Sequence, residues 1–240
     1  MIKEILRKIL FKNRDSSESY IKYLKSIGMK IGEDCTIYAP KNTVIDEQYP
    51  WMISIGNHVK ITNGVIMLTH DYSWSVLKRL DIYNQSGKIL GASGKIIIGN
   101  NVFIGMNSII LRNVKIGDDV IIGAGSVISK NCESGWVYAG NPAKKIMRVE
   151  EFYKKRDKLQ LEEAKELAIA YKKRFNELPP IDIFHEYFML FSNTENLNDN
   201  FREKAKLCDN FNDTMQYMKK NEPIFKDFEE FIEFCFNDIK

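Results

Sequence analysis

Between Ile98 and Val127 the chain repeats a phrase of six residues, IGNNVF, IGMNSI, ILRNVK, IGDDVI and IGAGSV, and runs on into ISKNCE. Isoleucine stands at 98, 104, 110, 116, 122 and 128, while Val102, Ser108, Val114, Val120, Ser126 and Cys132 hold the place four residues later. A period of six is not helical, and its even spacing keeps every isoleucine on one face of an extended strand. Such a chain must turn at regular corners. Three short sides per turn give a triangular coil of about eighteen residues, with equivalent positions stacked at roughly 4.8 Å. Isoleucine then fills the interior, a small residue fits where a corner tightens, and Gly99, Gly105, Gly117 and Gly123 are expected to serve the bends.

The rhythm begins at Ile31-Gly32 and continues weakly through Ile37. Lys41 and Glu47 then fall where a small or apolar residue belongs, so Pro40 to Pro50 reads as an excursion or an irregular side. The pattern recovers at Ile55-Gly56-Asn57-His58-Val59, Ile61, Val65 and Met67. Residues 69–94 depart from it again, and a long segment without periodicity inside a repeat domain is usually a functional loop. The turn-rich cluster Ala139-Gly140-Asn141-Pro142-Ala143 closes the coil.

Helical spacing flanks the repeats. Ile2, Ile5, Leu6, Ile9 and Leu10 alternate with basic residues, which fits a short helix over the open end of the coil better than a basic helix lying on a membrane. Asp15-Ser16-Ser17-Glu18 caps a second helix that runs to Ile27 and ends at Gly28. Beyond Val149, Ala164, Leu167, Ala168, Tyr171 and Phe175 mark a helix that Pro179-Pro180 stops. Further helices are expected over 181–191, 201–218 and 224–236, the last apolar around most of its circumference and therefore buried, within the tail or against a subunit in preference to a separate docking partner. The expected segments are a helical cap over 1–30, the coil over 31–148 with its loop at 69–94, and a helical extension over 149–240.

Composition narrows the function. The formal charge is +3 with no basic run interleaved with aromatics, which argues against a nucleic-acid binder. Cys35, Cys132, Cys208 and Cys235 lie far apart and suit reduced thiols in a cytoplasmic protein. His58 and His70 are twelve residues apart and His185 lies in the tail, so no metal site is expected. Gly94-Lys95 lacks the other residues of a phosphate loop. His70 stands out because it sits where the repeat breaks off into the loop, and imidazole, with an unperturbed pKa of about 6.5, suits proton removal near neutrality. His58 reads as a solvent-facing coil residue and an outside candidate.

The repeat resembles that of the hexapeptide-repeat acyltransferases over about 31–147. The run Asp46…Tyr49-Pro50-Trp51-Met52-Ile53-Ser54-Ile55-Gly56, followed by Leu68-Thr69-His70-Asp71, resembles the bacterial sugar and polysaccharide O-acetyltransferases of that superfamily. The resemblance implies a mainly β fold, a left-handed parallel β-helix, assembled as a homotrimer. It implies acetyl-CoA as acyl donor, lying along a groove between the coils of adjacent subunits, and His70 as general base with Asp71 helping to orient it. Donor contacts carry over to Met106 and Ala124, one coil apart, and to Ser129 and Lys144. Phe103 matches a position where sugar acetyltransferases often have tryptophan, and Met106 departs from the small polar residue common at its place. Asp46, Trp51, Tyr72 and Trp74 are the candidates for holding the acceptor, a sugar or polysaccharide precursor. Because a thioester carbonyl is already activated, the enzyme has only to deprotonate and align the acceptor hydroxyl and stabilise the oxyanion. An N-acetyltransferase acting on a nucleotide-linked amino sugar, a xenobiotic acetyltransferase and a non-catalytic trimeric scaffold with a partner-binding tail are the competing readings.

Overall fold

In the computed structural model, which describes residues 12–237, the six-residue phrase becomes one side of a coil. The first coil contains β1 (Lys30–Ile31), β2 (Thr36–Ile37) and β3 (Val44–Ile45), and the second β4 (Ile53–Ile55), β5 (Val59–Ile61) and β6 (Ile66–Met67). A loop stem of β7 (His70–Asp71) and β8 (Ala92–Ser93) intervenes. The third coil has β9 (Ile96–Ile98), β10 (Val102–Ile104) and β11 (Ile109–Ile110), and the fourth β12 (Val114–Ile116), β13 (Val120–Ile122) and β14 (Val127–Ile128). First strands stack on first strands, second on second and third on third, all in parallel. Val102 lies opposite Val120 and Ile110 opposite Ile128, the eighteen-residue offset that the repeat demands. A hairpin of β15 (Trp136–Gly140) and β16 (Ala143–Arg148) finishes the second face.

The six isoleucines of the phrase are at most 2% exposed, and the residues four places later at most 4%. Both sets therefore line the interior, two residues per side. Where the second is serine its hydroxyl is satisfied, since Ser108 Oγ and Ser126 Oγ both donate to Gly123 O at 3.1 and 2.6 Å. Cys132 takes the same place, and burial pushes its thiol up to about 12, so it stays protonated at neutral pH.

The glycines act differently from expectation. Gly99, Gly105, Gly117 and Gly123 do not adopt positive φ; the left-handed bend falls two residues later, on Asn101, Asn107, Asp119 and Gly125. Asparagine and aspartate tolerate that conformation better than other side chains. The glycines instead let neighbouring coils approach. A Cβ at Gly99 would stand 2.5 Å from Asp118 Oδ1 and 2.8 Å from the Gly117 carbonyl carbon. That corner also carries a ladder in which Asn57 Oδ1 accepts from Glu33 N, Asn100 Oδ1 from Asn57 N, and Asp118 Oδ1 from Asn100 N. Gly99→Ala forces backbone apart in a stacked coil and is expected to cost about 1–3 kcal/mol, read as a lower denaturant midpoint with an unchanged slope.

Pro40 to Pro50 is not an excursion. It contains β3, which pairs in parallel with β6, and Ile45 fills the interior at 2% exposure. Its corners are longer than the later ones, so that Lys30 meets Ser54 at an offset of 24 rather than eighteen. Glu47 at one of these corners binds the N-terminal helix α1 (Ser17–Ser26) and the turn before it, accepting from Tyr20 at 3.2 Å and Tyr23 at 3.0 Å in the helix and from Arg14 at 2.6 Å in the turn. Helix α1 starts at the Ser16 cap, whose side chain accepts from Ser19 N, and gives way to Gly28 at φ 106°. The helix expected over Ile2 to Leu10 lies outside the described residues.

The chain divides into two compact units, Met1–Phe152 and Tyr153–Lys240. The second unit is helical. Besides a short α2 (Trp74–Leu77) in the loop of the first unit, the chain forms α3 (Val149–Phe175), α4 (Asp199–Ala205), α5 (Phe211–Lys220) and α6 (Phe228–Phe236). The single helix expected over 201–218 is two, broken where Cys208 and Asp209 take positive φ, and 181–191 forms only two 3₁₀ turns. Helix α6 is buried within its own unit, with Phe231 at 0% exposure packed edge-on against Phe184 and stacked on Phe191.

Candidate active site

The loop leaves and re-enters the coil at one point. Thr69 O accepts from Gly94 N at 2.8 Å, and His70 pairs with Ser93 and Asp71 with Ala92 in a two-residue antiparallel stem. This stem fixes the His70 backbone at the edge of the stacked third faces. Its imidazole is fixed from the coil beneath. Nδ1 lies 2.7 Å from Asp46 Oδ2, and the Tyr49 ring meets the imidazole edge-on at 5.2 Å.

Asp46 is 7% exposed and fully engaged. Its Oδ2 accepts from His70 Nδ1, from Thr69 N at 3.1 Å and from the Thr69 hydroxyl, and its Oδ1 accepts from Gln48 N at 2.9 Å. Burial by itself would raise its pKa, but the Thr69 hydroxyl, Gln48 N, His70 and Thr69 N together hold it below the ordinary carboxylate value. An ionised carboxylate accepts only, so Nδ1 donates and the Nε2 lone pair faces away from Asp46 as the basic nitrogen. The His70 side chain is 31% exposed, so part of the imidazole faces solvent.

The carboxylate that holds the imidazole is thus Asp46, not Asp71, and four hydrogen bonds from within the chain meet it. Successive residues of a strand point to opposite sides, so the neighbour of His70 in sequence is poorly placed to reach its ring. Asp71 instead binds Arg112 Nε at 2.9 Å and accepts from the Ser73 hydroxyl and Ser73 N. The Ser73 hydroxyl and N–H, with Arg112, hold its carboxyl at about 2. It braces the loop base.

A second aspartate–histidine pair shows what sets the first apart. His58 Nδ1 lies 3.0 Å from Asp34 Oδ2, but that oxygen also accepts from Lys60 Nζ at 2.9 Å, and the pair sits at an exposed corner. There the ammonium already neutralises the carboxylate. Asp46 has no such competitor among its bonded partners.

The remaining sequence candidates fall into two groups. Trp51 stands 65% exposed beside Tyr49, with ring centroids 5.8 Å apart, and Tyr72 packs on Trp74 at 4.5 Å where the loop leaves the stem. Phe103, Met106, Ala124, Ser129 and Lys144 are all exposed. Met106 and Ala124 share a corner on successive coils, where Gly125 N donates to Met106 O at 2.7 Å. Ser129 follows β14 at the corner where the chain leaves β6 for His70, two coils further on. The lysine after Lys144, Lys145, is engaged by Glu133 at 2.7 Å and by the Trp136 ring at 4.5 Å. Tyr49, Thr69 and Arg112 were not singled out in sequence. Only Tyr49 and Thr69 carried a signal, by standing within the recognised runs.

The bacterial transferase hexapeptide family (six repeats) matches residues 95–130. Protein CapG of Staphylococcus aureus is 38% identical over 152 residues, which is 63% of this chain and 81% of that protein. Among solved structures, a maltose O-acetyltransferase from Clostridium difficile 630 is 23% identical at a TM-score of 0.44, over 61% of this chain and 84% of that one. The polySia specific acetyltransferase NeuO is 30% identical at a TM-score of 0.35, over 49% and 48%. With four coils of the six-residue phrase and a relative matched over most of its length, the chain belongs to the hexapeptide-repeat acyltransferases.

Proposed function

We propose that the protein is an acetyl-CoA-dependent O-acetyltransferase acting on a hydroxyl of a sugar or polysaccharide precursor, with His70 as general base. The observation that carries this reading is the Asp46–His70 pair at the coil edge, in which Asp46 holds Nδ1 of a partly exposed imidazole packed against Tyr49. In this reading the hydroxyl donates to Nε2 and loses its proton as its oxygen attacks the thioester carbonyl; the C–S bond then breaks, and the imidazolium returns the proton to the departing coenzyme A thiolate. Asp46 keeps Nδ1 protonated and stabilises the imidazolium that forms. Trp51, Tyr72 and Trp74 supply faces against which a sugar ring can rest.

The corner of Met106 and Ala124 suits an extended donor. Ala124 is exposed, and a Cβ added at Gly125 would meet nothing within 4 Å, so open space lies above this stretch of backbone. Acetyl-CoA supplies there an acetyl group already activated as a thioester. Phe103 and Ser129 would flank it, and Lys144 would face its phosphates. The coil is left-handed in this reading, as the resemblance implies, and three copies assemble so that each donor groove is completed by a neighbour.

A thermal melt tests the donor without knowledge of the acceptor. Acetyl-CoA at about 100 times its Kd should add about 2.7 kcal/mol of stability. A panel of acceptors read by release of free thiol then tests the chemistry. Absence of a melting shift together with absence of thiol release for every sugar would defeat the proposal, and turnover of amino sugars but not their hydroxyl analogues would turn it into an N-acetyltransferase.

A further inference from the structure

The second unit contains a cleft of about 650 Å³, within the roughly 300–1,000 Å³ range of ligand pockets. Its two walls are helix faces. Tyr153, Arg156, Asp157 and Gln160 recur at helical spacing on α3, Asp213 and Tyr217 do so on α5, and Asn221 follows at its C-terminal cap. Tyr187, Met189 and Leu190 line it from the turn segment between them in sequence, and Ile224 from the segment after α5. Four of these side chains are large, apolar or aromatic and exposed: Tyr153 at 66%, Tyr217 at 51%, Ile224 at 63% and Met189 at 36%. Packing within the unit does not explain them, because its core is built from Phe184, Phe191, Phe201 and Phe231.

The charges of the cleft select what can enter. Arg156 is taken by both oxygens of Glu163, at 2.6 and 2.5 Å, and Glu186 is taken by Lys204 at 2.9 Å. The other ionised groups of the lining, Asp157, Asp213 and Glu222, are all negative. Phosphates, carboxylates and polyanions are repelled from such a surface. Neutral and cationic ligands are admitted, and among them one with apolar faces and many hydroxyls matches the groups that remain. Tyrosine rings offer flat apolar surface with a polar tip, while carboxylates and the side-chain amides of Gln160, Asn210 and Asn221 accept and donate at the rim.

We propose that this cleft is a second saccharide-binding site, distinct from the His70 site, that holds a neutral or amine-bearing oligosaccharide segment. It extends the acceptor class of the proposed reaction and rests on that reading only for why the protein would hold a glycan. Binding is to be measured directly, without acetyl transfer, by titrating the full chain with maltohexaose, chitosan hexamer and an anionic uronic-acid hexamer. One of the first two should bind, and the anionic hexamer at least about tenfold more weakly. Tyr153→Ala and Tyr217→Ala, both at exposed positions, should each weaken binding about tenfold with the melting curve unchanged, whereas His70→Ala should not. Failure of both neutral and amine-bearing hexamers to bind overturns the proposal, as do equal binding of the anionic hexamer and indifference to the tyrosine substitutions. Capture of a lysine-rich peptide in place of any glycan overturns it too, in favour of a protein partner. A protein that binds the hexamer but never releases thiol defeats the enzymatic reading alone, and one that acetylates but does not bind defeats this one alone.

Discussion

His70→Ala is expected to lower kcat by at least about 100-fold, the scale on which removal of a positioned general base is felt. The loss should fall on kcat rather than KM, because under the proposed mechanism Nε2 would meet the acceptor hydroxyl most strongly as the proton leaves. Folding should survive, since His70 lies at the rim of the coil, 31% exposed, and contributes nothing to the isoleucine interior. Circular dichroism and sedimentation velocity should therefore match the parent protein. His58→Ala provides the comparison. Its imidazole also pairs with an aspartate one coil back, yet shares that carboxylate with Lys60 at an exposed corner, and its removal should change kcat by less than about twofold. Unchanged turnover in His70→Ala would remove this residue from the mechanism, and equal losses in both variants would point to a general weakening of the second coil.

What was legible in the sequence was the interior. Ile98 to Ile128 and the residues four places after each are buried because a six-residue period admits one inward-facing arrangement. Corner chemistry was only half legible. The glycines were visible as breaks, but their cause is the approach of the next coil, which no local pattern records, while Asn101, Asn107 and Asp119 make the turns. Glu47 looked misplaced because its partners Arg14, Tyr20 and Tyr23 lie 33, 27 and 24 residues away. The site followed the same logic. His70 was singled out by its place at a break and by the resemblance, with Asp71 as its expected orienting group, whereas stacking brings Asp46 from 24 residues back. In the tail, apolar spacing located buried residues, but it could not reveal the helix break at Cys208, which depends on backbone conformation.

Asp46→Asn separates orientation from simple loss of the base. The substitution keeps size and shape, so any effect arises from exchanging one acceptor oxygen for a donor amide. Two orientations are open to the amide, and each fails. With its oxygen towards His70 and Thr69, its NH₂ faces Gln48 N, a donor against a donor. With its NH₂ towards His70, Nδ1 must accept, the proton moves to Nε2, and the nitrogen needed as base is blocked. A fall in kcat of about 100-fold is expected, with KM for acetyl-CoA little changed. Stability should fall as well, by about 1–3 kcal/mol for the charge-assisted bonds lost. The pH dependence identifies the cause. Because the folded pKa of Asp46 is depressed, its contribution is complete above the ordinary carboxylate range and is lost as pH falls through the folded value. The stability gap between the parent and Asp46→Asn should therefore be widest near neutrality and close in acid. A gap that does not change with pH would mean that the carboxylate's charge is not what anchors the imidazole, and wild-type kcat in Asp46→Asn would mean that His70 finds its working tautomer without Asp46.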